Sequence, residues 1–513
     1  MKEFYTYLWK ERRIFLIILP LAYLIAGFYF RNLLGLLSLR SCDPEYIYFM
    51  SGLTLSDGTL KPGHFDNPGT PLQLFIALSF KLIYLFRATA TPYLEDVFSH
   101  PDLYLSVVNL MITSLTAMLL FVSGKMVFRL TGSILMALLI QTIPFLPVIW
   151  YDLIGRITPE LIFTFPATLL SVMVIWVMEK EAPVSRSQLL VFAVLSAFGL
   201  SIKLNFLPLW LIPFMLIGGW KRKLIFSGLS LLLFLIFAFP ATLQIDFFWS
   251  WIKNLFLHSG QYGGGETDII NFTSLKSNLS ELFNYERSFF YVLFGLMTVF
   301  AAYTILKGKK AEKMSVTVSA ALILTIAVQL LMVGKHYAHR YFIPVLMLSP
   351  LLLYLIIKLL RQLIPARIGG WMAGILILVY LGWSIRVHAI WLPLKNEAMG
   401  ADMENRLPTS HYAALLEKDS YRIITSQNYG CPLIEYTLMY SMAWASNSKK
   451  AEYAPILGKL YPRSYIYSTW DNTLRGWGEK FNADHIRSTG EKVYLYLERN
   501  EEELFSKTKS KLT

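Results

Sequence analysis

Charge is scarce in this chain. Only 16% of its 513 residues are Asp, Glu, Lys or Arg, against 55% hydrophobic residues, and the mean hydropathy is +0.48. A soluble globular protein carries about a quarter charged residues, so one soluble domain of this length is excluded. Cysteine is nearly missing. Cys42 and Cys431 are the only two, too few for a disulfide framework, although one bridge between them stays open. No HExxH or CxxC spacing occurs, which removes the common zinc motifs. Linkers rich in Gly and Ser, low-complexity tracts and strong internal repeats are also missing. No small-residue cleavage site follows the first apolar run at 14–30, so that run reads as a retained span and not a signal peptide.

What the chain does have is apolar runs of membrane-spanning length. They cover 14–30, 71–86, 104–121, 133–150, 161–178, 189–201, 206–219, 224–240, 289–306, 316–333, 342–357 and 371–385. The net charge of +13 sits mostly in short basic clusters between these runs. That distribution is a topology signal and argues against a nucleic-acid partner. Placing the clusters at Lys10–Arg13, Lys125/Arg129, Lys221–Lys223, Lys307–Lys313 and Lys358–Arg367 on the cytoplasmic side leaves a parity problem. An even number of spans must separate Arg13 from Lys125, yet three runs lie between them. The run 71–86 is short and follows a Pro-Gly-Thr-Pro turn, so it reads as an outer juxtamembrane helix. The expected fold is an α-helical polytopic membrane protein of about eleven spans with the N-terminus inside.

Three outer loops are long and every inner loop is short, so the working parts face outward. The membrane domain covers 1–386, with outer loops at 31–103 and 241–288. Residues 387–513 have balanced charges and strand-like alternation at 421–425 and 493–497. They read as a small soluble α/β domain on the outer face.

Four polar constellations lie on that face. The first outer loop carries Asp43, Pro44, Glu45 and Tyr46, followed by His64, Asp66 and Asn67. Asp43 either caps a helix starting near Pro44 or acts as a general base on an acceptor hydroxyl or amine. Glu45 is the second choice for that base. The short loop 151–160 holds Asp152, Arg156 and Glu160 at intervals of four, on one face if the loop is helical, where Arg156 can pair with Glu160. The stretch Lys335, His336, Tyr337, His339, Arg340, Tyr341 is basic on a face where few basic residues are expected. Snorkelling anchors would explain it, and so would a site for a lipid-linked phosphate. Finally, His258 and Tyr262 precede a run of three glycines followed by Glu266, a segment able to close over a substrate or simply a flexible loop. It lacks the Lys-Ser/Thr ending of a phosphate-binding loop, so no nucleotide site is expected. The ligand spacing supports no metal site, and a divalent ion on Asp43 and other carboxylates has no motif behind it.

These residues together resemble the GT-C superfamily of integral membrane glycosyltransferases. The likeness is to the bacterial branch related to protein O-mannosyltransferases and the aminoarabinose transferase of lipid A. Asp43-Pro44-Glu45 stands where that family begins its first outer loop with an acidic motif. Asn67-Pro68-Gly69-Thr70-Pro71 resembles its proline-rich turn, and Asp152, backed by Arg156 and Pro159-Glu160, its second acidic site. His336 to Pro344 resembles its late His-x-x-x-Arg-Tyr-x-x-Pro pattern. Pro44 separates two acids that are often adjacent in the family, and the Lys-Pro-Pro of the aminoarabinose transferase is absent, so its donor sugar is not carried over.

The resemblance implies a transferase of the bacterial inner membrane with its site and C-terminal domain in the periplasm. The donor would be a polyprenyl-phosphate sugar and the acceptor a lipid, glycan or protein, with no cofactor required. Catalysis would fall to Asp43, Glu45 and Asp152. Substrate would be bound by Tyr46, His64, Asp66, Arg156, Glu160, His258, Tyr262, Lys335, His336, Tyr337, Arg340 and Tyr341. A flippase of lipid-linked glycans and a non-catalytic assembly subunit are the rival readings. Transporters gather ionisable residues at mid-membrane and carry paired repeats, whereas these charges gather at the outer boundary.

Overall fold

In lipid a backbone must satisfy its own N–H and C=O groups, and a single segment does so only as a helix. The long apolar runs fold accordingly. The structure is a computed structural model that describes residues 14–39, 42–65, 67–258, 267, 272–415, 420–425, 433–468, 473–478, 483–496 and 506. Among them, eight helices are long and apolar enough to cross a membrane: Phe15–Leu33, Thr70–Arg87, Pro101–Thr131, Pro159–Lys180, Arg287–Lys310, Lys313–Lys335, His339–Leu363 and Ile368–Ala398. This is a multi-pass helical membrane protein.

The remaining apolar runs form helices that are shorter, interrupted or more highly charged, which is why the expected count of about eleven exceeds these eight. Arg186–Ile202 and Leu204–Leu216 are apolar but short, and Trp220–Phe237 starts on Lys221, Arg222 and Lys223. The run at 133–150 divides into Ile134–Gln141, a 3-10 turn at Ile143–Phe145 and the start of Trp150–Leu153. Pro144 and Pro147 lack the N–H groups that a continuous helix needs there. Conversely, the run at 71–86 grows into the 18-residue helix Thr70–Arg87, about 27 Å long. Length and composition give it the dimensions of a span, unlike the short juxtamembrane helix expected. Leu74, Leu78 and Leu85 leave its outer face apolar. Its C-terminal Arg87 is held by Asp96, whose carboxylate also accepts from the Tyr104 hydroxyl.

The last long helix, Ala366–Leu415, runs unbroken through 386/387, and the α/β unit begins beyond it. Four strands, β1 (Tyr421–Thr425), β2 (Ser464–Ser468), β3 (Thr473–Arg475) and β4 (Val493–Tyr496), form one sheet in the order β3-β2-β1-β4. β1 is parallel to both β2 and β4, with Ile423 opposite Tyr465 and Leu495, while β3 returns antiparallel to β2. Helices Ile434–Ser441 and Asn447–Leu460 supply the crossover from β1 to β2 that a parallel pair requires.

This unit is docked on the segment 34–100, between the helices Phe15–Leu33 and Pro101–Thr131, and is not tethered loosely beside it. Thr437 Oγ1 donates to the Ser38 carbonyl at 2.6 Å, Lys449 pairs with Asp57 at 2.5 Å, and the Tyr461 hydroxyl reaches the Phe98 carbonyl at 2.8 Å. The Gly63 N–H donates to the Trp444 carbonyl at 3.0 Å. A Cβ on Gly63 would lie 2.3 Å from that carbonyl oxygen, and its nearest neighbours are all Trp444 backbone atoms. Gly63→Ala is therefore expected to loosen the dock at a cost of roughly 1–3 kcal/mol. Faster tryptic release of the C-terminal unit would report it, and an unchanged cleavage rate would remove Gly63 from the docking contact.

Candidate active site

The corner Asp43-Pro44-Glu45 is built by an arginine. Arg156 donates from Nε to Glu45 Oε1 at 2.5 Å and from Nη2 to Glu45 Oε2 at 2.8 Å, and Nη2 also reaches the Asp43 carbonyl at 3.1 Å. Such a fork matches a carboxylate in plane and fixes its orientation. Glu45 is only 1% exposed and does not line the cavity described below. It is spent on holding the corner, as is Arg156. The helix runs Glu45–Ser56, with Pro44 and not Asp43 in the cap position. The Tyr46 N–H that a cap would take is already bonded to the Cys42 carbonyl at 3.0 Å. Asp43 lines the cavity described below.

The facing wall carries cations gathered around one carboxylate. Glu160, 2% exposed, begins the helical stretch at Pro159 and accepts from Lys203 Nζ at 2.7 Å. Arg340 Nε lies 3.9 Å from the same oxygen. Lys203 also stands 4.7 Å from the centre of the Tyr341 ring. Two amides, Asn205 Nδ2 at 3.0 Å and Gln329 Nε2 at 2.8 Å, hold the Tyr341 carbonyl and so pin the turn that presents Arg340. The buried Glu160 carboxylate is compensated by Lys203 and Arg340, and two cations to one anion leave this group with a net positive charge.

These two elements line one cavity of about 1890 Å³, with the C-terminal domain as its third wall. Asp43, Tyr48, His64 and Asn67 come from the segment between the helices Phe15–Leu33 and Thr70–Arg87, and Glu160, Lys203, Arg340 and Tyr341 from the later helices and their turns. Burial pushes the Asp43 carboxyl above the ordinary aspartate range. Arg340 is the strongest charge pulling against that shift, followed by His64. His64 stands between the Tyr48 ring at 5.2 Å and the Trp444 ring at 5.4 Å. A cavity with a raised carboxylate on one side and cations on the other can accept a proton and stabilise a departing anion.

No family model matches the chain, and no curated protein does. Among solved structures, a match is the crystal structure of ArnT from Cupriavidus metallidurans bound to undecaprenyl phosphate. It has 11% identity and a TM-score of 0.47 over 87% of this chain and 93% of that one.

Several residues singled out in the sequence lie elsewhere. Asp152, Arg156 and Glu160 do not share a helical face, because the loop is helical only at Trp150–Leu153 and Pro159–Ile162, with Thr158 extended between them. Each charge goes to a different element: Asp152 pairs with Lys395 of the last long helix, Arg156 with Glu45 and Glu160 with Lys203. Asp152 is half exposed and outside the cavity, so the structure does not bring it to Asp43.

The Lys335–Tyr341 stretch also divides. Lys335 Nζ donates to the Phe256 carbonyl at 2.5 Å and His336 Nε2 to the Leu255 carbonyl at 2.8 Å. Both cap the C-terminus of Ile245–Leu257, whose last carbonyls have no intrahelical donor. Neither lines the cavity. His339 bonds the buried Glu286 at 2.9 Å, and Tyr337 packs against the main core.

Tyr46 is fully buried against Phe49 and is a core residue. His258 pairs with Thr267 outside the cavity. Asp66, Tyr262 and Cys431 lie outside the described residues. Among the described residues no group of three or more His, Cys, Asp or Glu side chains is placed to hold a metal ion.

Lys203 is the functional residue that sequence reasoning passed over. Its signal was present: a lone lysine between two apolar runs is costly unless it is paired or faces a wet cavity, and Lys203 does both.

Proposed function

We propose that this chain is a membrane glycosyltransferase that moves a sugar from a polyprenyl-phosphate-linked donor to an acceptor on the outer, periplasmic face of a bacterial inner membrane. The observation that carries this reading is the shared cavity of Asp43 and the Arg340–Lys203–Glu160 group. The acceptor hydroxyl or amine gives its proton to the Asp43 carboxylate as its lone pair attacks the anomeric carbon. The bond from that carbon to the phosphate oxygen breaks, and polyprenyl phosphate leaves with the electron pair. Arg340 and Lys203 stabilise the charge that develops on it. Glu45 and Arg156 position Asp43, and Glu160 orients the two cations.

The deciding experiment supplies the purified protein in nanodiscs with polyprenyl-phosphate sugars and an acceptor extract. Release of polyprenyl phosphate with sugar incorporated into the acceptor is expected. Movement of intact donor across the bilayer without release would point to a flippase and sink the reading. Within this scheme Arg340→Ala should lower kcat/KM for the donor by about 10²–10³-fold, the usual loss on removing an oxyanion partner. Lys335→Ala, which uncaps a helix outside the cavity, should cost far less. Equal losses in the two variants would remove Arg340 from the phosphate.

A further inference from the structure

A polar side chain buried in an apolar span is costly unless something uses it. The span Pro101–Thr131 buries Asn109, 1% exposed, and its amide reaches out of the helix. Asn109 Nδ2 donates to the Arg156 carbonyl at 2.7 Å and to the Ile154 carbonyl at 3.2 Å. The carbonyl between them, on Gly155, accepts from Arg31 Nη1 at 2.9 Å. Arg31 belongs to the last turn of Phe15–Leu33 and is buried as well. Two spans thus hold three consecutive carbonyls of one short loop.

The loop needs donors of this kind. It lies between the helical turns Trp150–Leu153 and Pro159–Ile162, with Thr158 extended, so its carbonyls do not enter a continuous helical ladder. A buried carbonyl must then be met from elsewhere. The seat is close. A Cβ on Gly155 would stand 2.5 Å from Leu34 Cδ1 and 2.9 Å from the Phe30 carbonyl, so glycine is what lets the loop rest against the end of the first span.

The clamp acts on the backbone of Arg156 itself. That residue's guanidinium forks onto Glu45 and reaches the Asp43 carbonyl. Fixing the peptide from which so long a side chain starts removes most of the guanidinium positions that would compete with the observed one. A second buried amide gives the contrast. Gln141 Nε2 donates to the Leu16 carbonyl at 2.8 Å and the Leu120 carbonyl at 3.0 Å. It joins the same two spans by the same chemistry, away from the loop.

We propose that Asn109, with Arg31, is a positioning residue for the transfer reaction: it fixes the backbone of Arg156 and, through that guanidinium, the corner that carries Asp43. The inference rests on the reading of Asp43 as the base only for its effect on rate; the clamp itself is a matter of structure.

The test compares Asn109→Ala, Asn109→Ser and Gln141→Ala in the full-length protein in nanodiscs. Asn109→Ala is expected to lower kcat by up to about 10²-fold, the scale of a misplacement of about 1 Å. Donor KM should stay nearly unchanged, because Arg340 and Lys203 are held through Asn205, Gln329 and Glu160. Asn109→Ser keeps a donor and should regain part of the rate. Gln141→Ala should lower the unfolding temperature without lowering kcat. Combined with Arg156→Lys, the loss from Asn109→Ala should not multiply, since Arg156 is the route; combined with Arg340→Ala it should. Hydrogen exchange gives a readout that needs no activity. The peptides 43–48 and 153–157 should exchange faster in Asn109→Ala and not in Gln141→Ala.

Equal kcat losses in Asn109→Ala and Gln141→Ala overturn the proposal. So does a donor KM that rises as far as kcat falls, or a loss that multiplies with that of Arg156→Lys. A corner loosened by Asn109→Ala, in a protein whose wild type transfers no sugar, would sink the enzymatic reading and leave the clamp. Normal transfer by Asn109→Ala would sink the clamp alone.

Discussion

Asp43→Asn is expected to lower sugar transfer by about 10²–10⁴-fold, the range over which a positioned general base contributes. The amide keeps the size and hydrogen-bonding reach of the carboxylate but cannot take the acceptor proton. The corner is held through the Asp43 backbone carbonyl and the Glu45 carboxylate, so the variant is expected to fold. Donor binding should survive for the same reason. The pH profile adds a signed check. Burial raises the Asp43 pKa above that of a free aspartate, about 3.9, and transfer needs the ionised form. The rate is therefore full above the raised pKa and falls as pH drops through it, at a higher pH than an unperturbed aspartate would give. Arg340 opposes the rise, so in the residual activity of Arg340→Ala the acid limb should move to still higher pH. A limb that stays in place or moves down, or an Asp43→Asn protein with near-normal rates, would assign the base elsewhere.

Much of the architecture was legible because one period or one composition dominates each segment. The strands at 421–425 and 493–496 alternate, and the long apolar runs leave no alternative to helix. Asp43 and Arg340 were legible as ionisable residues at the mouths of such runs. The partners were not. Intervals of four suggested that Arg156 serves Glu160, but Thr158 is extended and breaks the helical phase, so Arg156 turns to Glu45 and Glu160 to Lys203. The basic stretch at 335–341 read as one site. A 3-10 turn at His339–Phe342 instead sends Arg340 toward the cavity, while Lys335 and His336 stay behind as helix caps.

Lys203→Met should produce the largest loss of stability. It leaves Glu160, 2% exposed, beside Arg340 at 3.9 Å as its remaining described cation, and stripping one partner from a buried pair costs about 3–5 kcal/mol. Met fills the same volume, so the loss is electrostatic and not a cavity effect. A lower unfolding temperature in detergent is the first readout. The second is catalytic: with Lys203 gone, Arg340 is drawn toward Glu160 and away from the donor phosphate, so donor KM should rise as well. The double variant Lys203→Met with Glu160→Gln separates the two effects. Removing both charges should restore most of the stability, since nothing buried is left unpaired. It should not restore donor use, because Arg340 loses the carboxylate that orients it and the leaving phosphate loses Lys203. If the double variant is no more stable than Lys203→Met, the pair is not the source of the loss. If it regains full activity, Lys203 has no part in holding the phosphate and Arg340 acts there alone.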